Sequence, residues 1–159
     1  MKRVVALLME NQPGALSRVV GLFSQRGYNI ESLIVAPTED PSLSRLTMTT
    51  EGDSKVVEQI TKQLNKLIDV VKVLDLSQED YIGRELLLIK LPSGKDVESE
   101  VENLGGIILF KSQELLNAQF VGTSEEVDNI ISILEKVNPL EVVRTGLSGL
   151  SSTSKTLNI

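Results

Sequence analysis

Two rhythms of apolar residues alternate along the first half of the chain. Residues 3–10 are almost unbroken in their apolar character and read as a strand, after which Leu16, Val19, Val20 and Phe23 fall at i, i+3, i+4 and i+7, the spacing of one helix face. That helix, over residues 14–26, stops at Arg26-Gly27, a cation followed by a glycine suited to the C′ position. Strands follow over 29–37 and 43–51. Gly52-Asp53 then announces a second helix over 53–66, with Asp53 as its N-cap and Val57, Ile60, Leu64 and Leu67 as its stripe, and a strand over 69–76 closes the series. The order is βαββαβ, and both helices have an apolar stripe that must face a sheet.

The polar stretch from Ser77 to Gly83 reads as a linker, and beyond it the same order returns in weaker form. A strand from Glu85 to Leu91 leads to a short helix near 95–104 carrying Val97, Val101 and Leu104. Gly105-Gly106 precedes a strand ending at Phe110, and a further strand runs over 114–121. Thr123 and Glu126 make a capping-box pattern before a helix striped by Val127, Ile130, Ile131 and Leu134, and 139–145 supplies the last strand. The chain is therefore read as α+β, with two ferredoxin-like modules: residues 1–77, a linker at 78–84, and residues 85–159 ending in an irregular tail from Gly146 that is rich in Ser, Gly and Thr.

The ferredoxin-like sheet order 4-1-3-2 places the strand at 29–36 on an edge. Leu33-Ile34-Val35-Ala36 has no charge, proline or glycine to blunt that edge, so pairing with the same strand of a second copy is expected, giving a homodimer with a continuous eight-stranded sheet.

Composition narrows the chemistry. At 159 residues and 41% hydrophobic content a core is assured, and with aromatics at 3% and no Trp it must be built from Val, Ile and Leu. A net charge of −6 argues against nucleic acid as a partner, since binding the phosphate backbone requires clustered Lys and Arg. Cys and His are both absent, which removes thiolate nucleophiles, disulfides, the commonest metal ligands and the usual proton shuttle. No apolar run approaches the roughly 20 residues of a membrane span, and the amino terminus reads directly as a strand, so a cytoplasmic location is expected. The acidic pairs Glu39-Asp40, Glu79-Asp80 and Glu125-Glu126 sit in turn, linker and helix-start positions and read as solvated carboxylates rather than catalytic ones. Residues 146–152 carry glycines and serines but no Gly-Lys-Ser/Thr, and read as a flexible tail.

One segment does suggest binding. Pro13 suits the first turn of a helix, and Gly14 removes the side chain that would keep a ligand from the amides of Ala15 and Leu16. With the positive end of the helix dipole behind them, those amides suit a carboxylate, and the chain reads as an amino-acid sensor more than a catalyst. A turn glycine chosen for backbone freedom is the competing reading of Gly14.

The run from Glu10 through Asn-Gln-Pro-Gly-Ala-Leu-Ser-Arg-Val-Val-Gly-Leu-Phe-Ser-Gln-Arg-Gly-Tyr-Asn-Ile-Glu-Ser-Leu, followed from Ala36 by Pro-Thr-Glu-Asp-Pro-Ser-Leu-Ser-Arg-Leu-Thr-Met, resembles the ACT domain of the regulatory small subunits of acetolactate synthase (acetohydroxyacid synthase). The resemblance is strong over residues 2 to about 76 and looser afterwards. It implies a noncatalytic subunit that activates a catalytic large subunit holding thiamine diphosphate, Mg and FAD, and that confers feedback inhibition by valine. It further implies that the effector lies between two ACT domains, against Asn11, Gly14, Ala15 and Leu16 of one chain and Asn29 and Ile30 of the other. Two amides that both donate and accept suit a zwitterion, and Leu16 and Ile30 suit its aliphatic side. The bland readings stay open: Asn11 as a helix cap, Asn29 as a turn residue, Leu16 and Ile30 as core. The alternative function is a stand-alone amino-acid-sensing module serving a different enzyme.

Overall fold

The computed structural model describes residues 2–157. Its first half runs β1 (Lys2–Glu10), α1 (Ala15–Gln25), β2 (Ile30–Pro37), β3 (Leu43–Glu51), α2 (Ser54–Leu64) and β4 (Val70–Asp75), within a residue or two of the periodicity-based bounds. Its second half runs β5 (Tyr81–Pro92), α3 (Lys95–Asn103), β6 (Ile107–Lys111), β7 (Leu115–Gly122), α4 (Ser124–Leu134), β8 (Glu141–Arg144) and β9 (Ser148–Ser151). Both sheets are antiparallel with ferredoxin-like order, β2-β3-β1-β4 and β6-β7-β5-β8, and β9 pairs with β5 off that path.

Local signals set the helix ends. The α1 terminus is a Schellman motif: Tyr28 N–H donates to the Phe23 carbonyl at 3.0 Å and Gly27 N–H to Ser24 at 3.2 Å, with Gly27 left-handed at φ +69°. Asp53 caps α2 by accepting from Val56 N–H at 2.9 Å. Thr123 and Glu126 form the reciprocal capping box of α4, at 3.2 and 2.7 Å.

Residues 2–82 and 147–157 make one compact unit and Gly83–Gly146 the other. In the first, Val5, Leu7 and Met9 of β1 pack with Val19 and Phe23 of α1 and Val57, Ile60 and Leu64 of α2. In the second, Leu87, Ile89 and Leu91 of β5 pack with Val101 of α3 and Val127, Ile130 and Leu134 of α4. The second sheet's other face leaves Leu88, Phe110 and Val143 exposed beside a 2.6 Å ion pair between Lys90 and Glu141.

Three expectations are corrected here. The linker at 78–84 is not a free connection: a short 3-10 turn, Leu76–Gln78, leads into β5, which has begun by Tyr81. Nor does the tail from Gly146 lie loose within the second module. It returns to the first unit, where Leu147 and Leu157 join Val4, Ala6, Leu8 and Leu76 in a second core on the face of β1 opposite the helices. The Gly149 backbone lies so close to that face that an added Cβ would come 2.7 Å from Leu76, and its carbonyl accepts from Arg45 at 2.7 Å. Glu79 is no solvated carboxylate; it fastens this tail by accepting from Ser151, Thr153 and Lys155.

Leu147→Ala should destabilise the first unit by about 2 kcal/mol, the lower end for a buried leucine because a strap relaxes more than a helix. A lowered urea midpoint checks this, and an unchanged midpoint would show that the tail contributes no core.

Candidate functional site

The site begins at the turn joining β1 to α1. Gly14 is the N-cap of α1, left-handed at φ +87°, and neither a side-chain cap nor a first-turn acid is present. The first turn of any helix has amide donors with no partner inside it. Here Ala15 N–H donates to the Gln12 carbonyl at 3.2 Å, and the helical ladder starts with Arg18 N–H on the Gly14 carbonyl at 3.0 Å. The donors left over, among the described residues, belong to Leu16 and Ser17. The expectation that Ala15 offers its amide to a ligand is therefore corrected: that N–H closes the turn, and Ala15 is fully buried. Leu16 stays at the surface, 36% exposed.

Beneath the turn lies a polar network that sequence reasoning missed. Asp69, just ahead of β4, is 2% exposed. Its carboxylate accepts from Arg18 Nε and, at 2.7 Å, from Gln12 Nε2. Gln12 Nε2 also donates to Glu10 at 2.6 Å, and Glu10 N–H donates to the Asp69 carbonyl at 2.8 Å. Gln12, Arg18 and Asp69 are separated by 51 and 57 positions, so no spacing rule joins them. The available signal was a lone acid between the apolar Ile68 and Val70. Nη1 of Arg18 sits 2.9 Å from where a Gly14 Cβ would be, so a side chain there would displace the guanidinium tip, and the φ of +87° is what favours glycine.

The Arg18 guanidinium holds the Asp69 carboxyl below its ordinary value of 3.8, against burial, which pushes it up, and Gln12 adds to the lowering. A depressed folded pKa contributes stability that is fully present above the unfolded value and lost as pH falls through the folded one. Asp69→Asn should therefore be less stable than the native chain at pH 7, with the gap narrowing below about pH 3.8. Urea melts at pH 7 and pH 3 check this, and a constant gap would contradict it.

The remaining candidates divide into two groups. Asn11 lies beside Gly14 but does not cap α1: its Nδ2 donates to the Pro41 carbonyl at 2.9 Å and its N–H to Ser42 at 2.7 Å, which leaves Oδ1 as a free acceptor. Asn29 is exposed, its carbonyl accepting from Thr50 Oγ1 at 2.6 Å, and Ile30 is half-buried against the helix-side core. These two sit far from Gly14 within one chain. Glu10 pairs with Leu43 and Ile30 with Thr50, at opposite ends of β3, a separation of about 24 Å at about 3.4 Å per residue. The candidates of one chain thus fall into two groups, at opposite ends of β3.

Among the described residues no group of three or more acidic side chains could hold a metal ion, and no helix is long and apolar enough to cross a membrane.

A βαββαβ unit with an open, glycine-started first helix places the amino-terminal half in the ACT class, and residues 5–72 match the family described as AHAS small subunit-like ACT domain. Residues 84–153 match a second family, described as small subunit of acetolactate synthase, so the likeness is not confined to the first half. The chain is 48% identical to the acetolactate synthase isozyme 3 small subunit of Salmonella typhimurium and 49% identical to that of Escherichia coli, over 98% of each chain in both cases. The crystal structure of the acetolactate synthase small subunit from Thermotoga maritima is 34% identical, with a TM-score of 0.88 over 98% of this chain and 99% of that one. The chain belongs to the acetolactate synthase small-subunit family.

Proposed function

We propose that this chain is the noncatalytic regulatory subunit of an acetolactate synthase: it raises the activity of a catalytic large subunit, which carries thiamine diphosphate, Mg and FAD, and weakens that effect when valine binds between two ACT domains. The observation that carries the reading is the division of the candidates into half-sites. β2 is an edge strand. Pairing it antiparallel with β2 of a second copy brings Asn29 and Ile30 of one chain to the Ala36-Pro37 end of the other. Pro37 pairs with Ser44 there, close to Ser42, on which Asn11 is anchored. In that crevice the Leu16 and Ser17 amides meet the ligand's carboxylate, the Asn11 and Asn29 amides meet its ammonium, and Leu16 and Ile30 flank its branched side chain. A methylene in an apolar pocket discriminates by only about 1–3 kcal/mol, so leucine and isoleucine should compete with valine.

Reconstitution with the large subunit tests this. Acetolactate formation should rise when this chain is added and fall again with valine, and a chain that neither activates nor responds would refute it. Regulation of this kind requires valine to bind the free and partner-bound chain with different affinity, by about 5- to 150-fold, because coupling is reciprocal. Calorimetry on both forms checks that, and equal affinities would remove equilibrium coupling from the account.

A further inference from the structure

Resting on that reading of the ligand site, we propose that Asp69 is its positioning residue: a buried carboxylate that, through Gln12 and the Nε of Arg18, fixes the left-handed turn at Gly14 and so aims the uncapped amides of α1. Three features support this. The carboxylate is 2% exposed and sits outside the turn it fixes, so it cannot touch a ligand there without rearrangement. Both oxygens are taken, Oδ1 by Gln12 on one side of Pro13-Gly14 and Oδ2 by Arg18 on the other. The Asp69 main chain ties down the strand end as well, its carbonyl receiving Glu10 N–H at 2.8 Å. The segment from Glu10 to Arg18 is thus gripped at three points by one residue, and the glycine at its centre has no side chain to hold it in a conformation that few residues adopt.

Arg18 is assigned to the same task, not to the ligand. Its charge is matched by Asp69, and Glu10 adds a second negative charge to the network, so the cluster as a whole offers a carboxylate ligand no positive field. What Arg18 supplies is a donor at the Nε position and a flat group packed against Gly14.

The experiment is valine titration by calorimetry into the full-length chain and three variants, with thermal melts to establish folding. Asp69→Asn presents one acceptor where the carboxylate presents two, leaving Gln12 or Arg18 facing an N–H2 group. Its valine affinity should fall by about tenfold or more. Arg18→Met, of similar length but with no donor, should fall similarly. Arg18→Gln places an amide nitrogen where Nε was, without the charge, and should bind valine within about threefold of the native chain.

Native affinity in folded Asp69→Asn and Arg18→Met would overturn the proposal. Equal losses in Arg18→Gln and Arg18→Met would also overturn it, by showing that the guanidinium charge itself meets the ligand. If the native chain binds no valine, the proposed function is what has failed, and the positioning role falls with it.

Discussion

Gly14→Asp should abolish the response to valine while leaving a folded chain. An aspartate Cβ would lie 2.9 Å from Arg18 Nη1 at a backbone φ of +87°, so the variant displaces the guanidinium tip and must hold an unfavourable conformation. The left-handed region costs a residue with a Cβ about 1–2 kcal/mol. The new carboxylate would also pair with Arg18 in competition with Asp69, and would place a negative charge where the ligand's acid is to go. Loss of two charge-assisted hydrogen bonds, each contributing about 1.5–3 kcal/mol, weakens binding by about a hundredfold or more. Gly14→Asn separates the causes, because asparagine has the same shape, shares aspartate's tolerance of the left-handed region and carries no charge. It should retain more affinity than the aspartate variant. Native valine affinity in a folded Gly14→Asp chain would remove the helix start from the site.

Ile34→Lys should convert a dimer to monomers and silence valine binding with it. Ile34 stands near the middle of β2, so in a two-fold pairing of that strand it approaches its own counterpart, and two lysines would bring like charges together. Lysine is also a residue by which exposed edges are kept from pairing. Within its own chain the substitution should be tolerated, since Ile34 is half-buried and pairs with Thr47 on the face away from the helices, where a lysine stem can reach water. Sedimentation should show the native chain at twice its own mass and the variant dimerising at least about tenfold more weakly. Because Ile30 pairs at one end of β3 and Glu10, which leads to the helix start, at the other, about 24 Å along the strand, a monomer should lose the ligand too. A stable dimer in the variant, or a monomer that binds valine normally, would move the interface or the site elsewhere.

Much of this molecule was readable from its residues because the information was local. The i, i+3, i+4 stripes of α1, α2 and α4, the Gly27 stop, the Asp53 cap and the Thr123-Glu126 capping box each need only neighbours within a few positions. One global feature is also written in β1: residues 4–9 are apolar and buried without a break. A strand covered on one side alternates, whereas an unbroken apolar run requires cover on both faces. The helices account for Val5, Leu7 and Met9; Val4, Ala6 and Leu8 needed the tail. The Ser and Gly content of that tail is common to loops in general, whereas Leu147 and Leu157 anchor it.

The sequence by itself determined the order of elements, the class of fold, the edge at β2 and the glycine that opens α1, because hydrophobic period, capping and turn chemistry act over a few residues. Only the tertiary structure decided that Ala15 spends its amide on Gln12, that Asp69 grips Gln12 and Arg18, that residues 147–157 close the far face of the first sheet, and that the Asn11–Leu16 turn and the Asn29-Ile30 segment lie at opposite ends of β3. Apart from the Ala15 turn, those outcomes join groups tens of positions or more apart. Such pairings follow from how the sheet folds back on itself, which no local rule encodes.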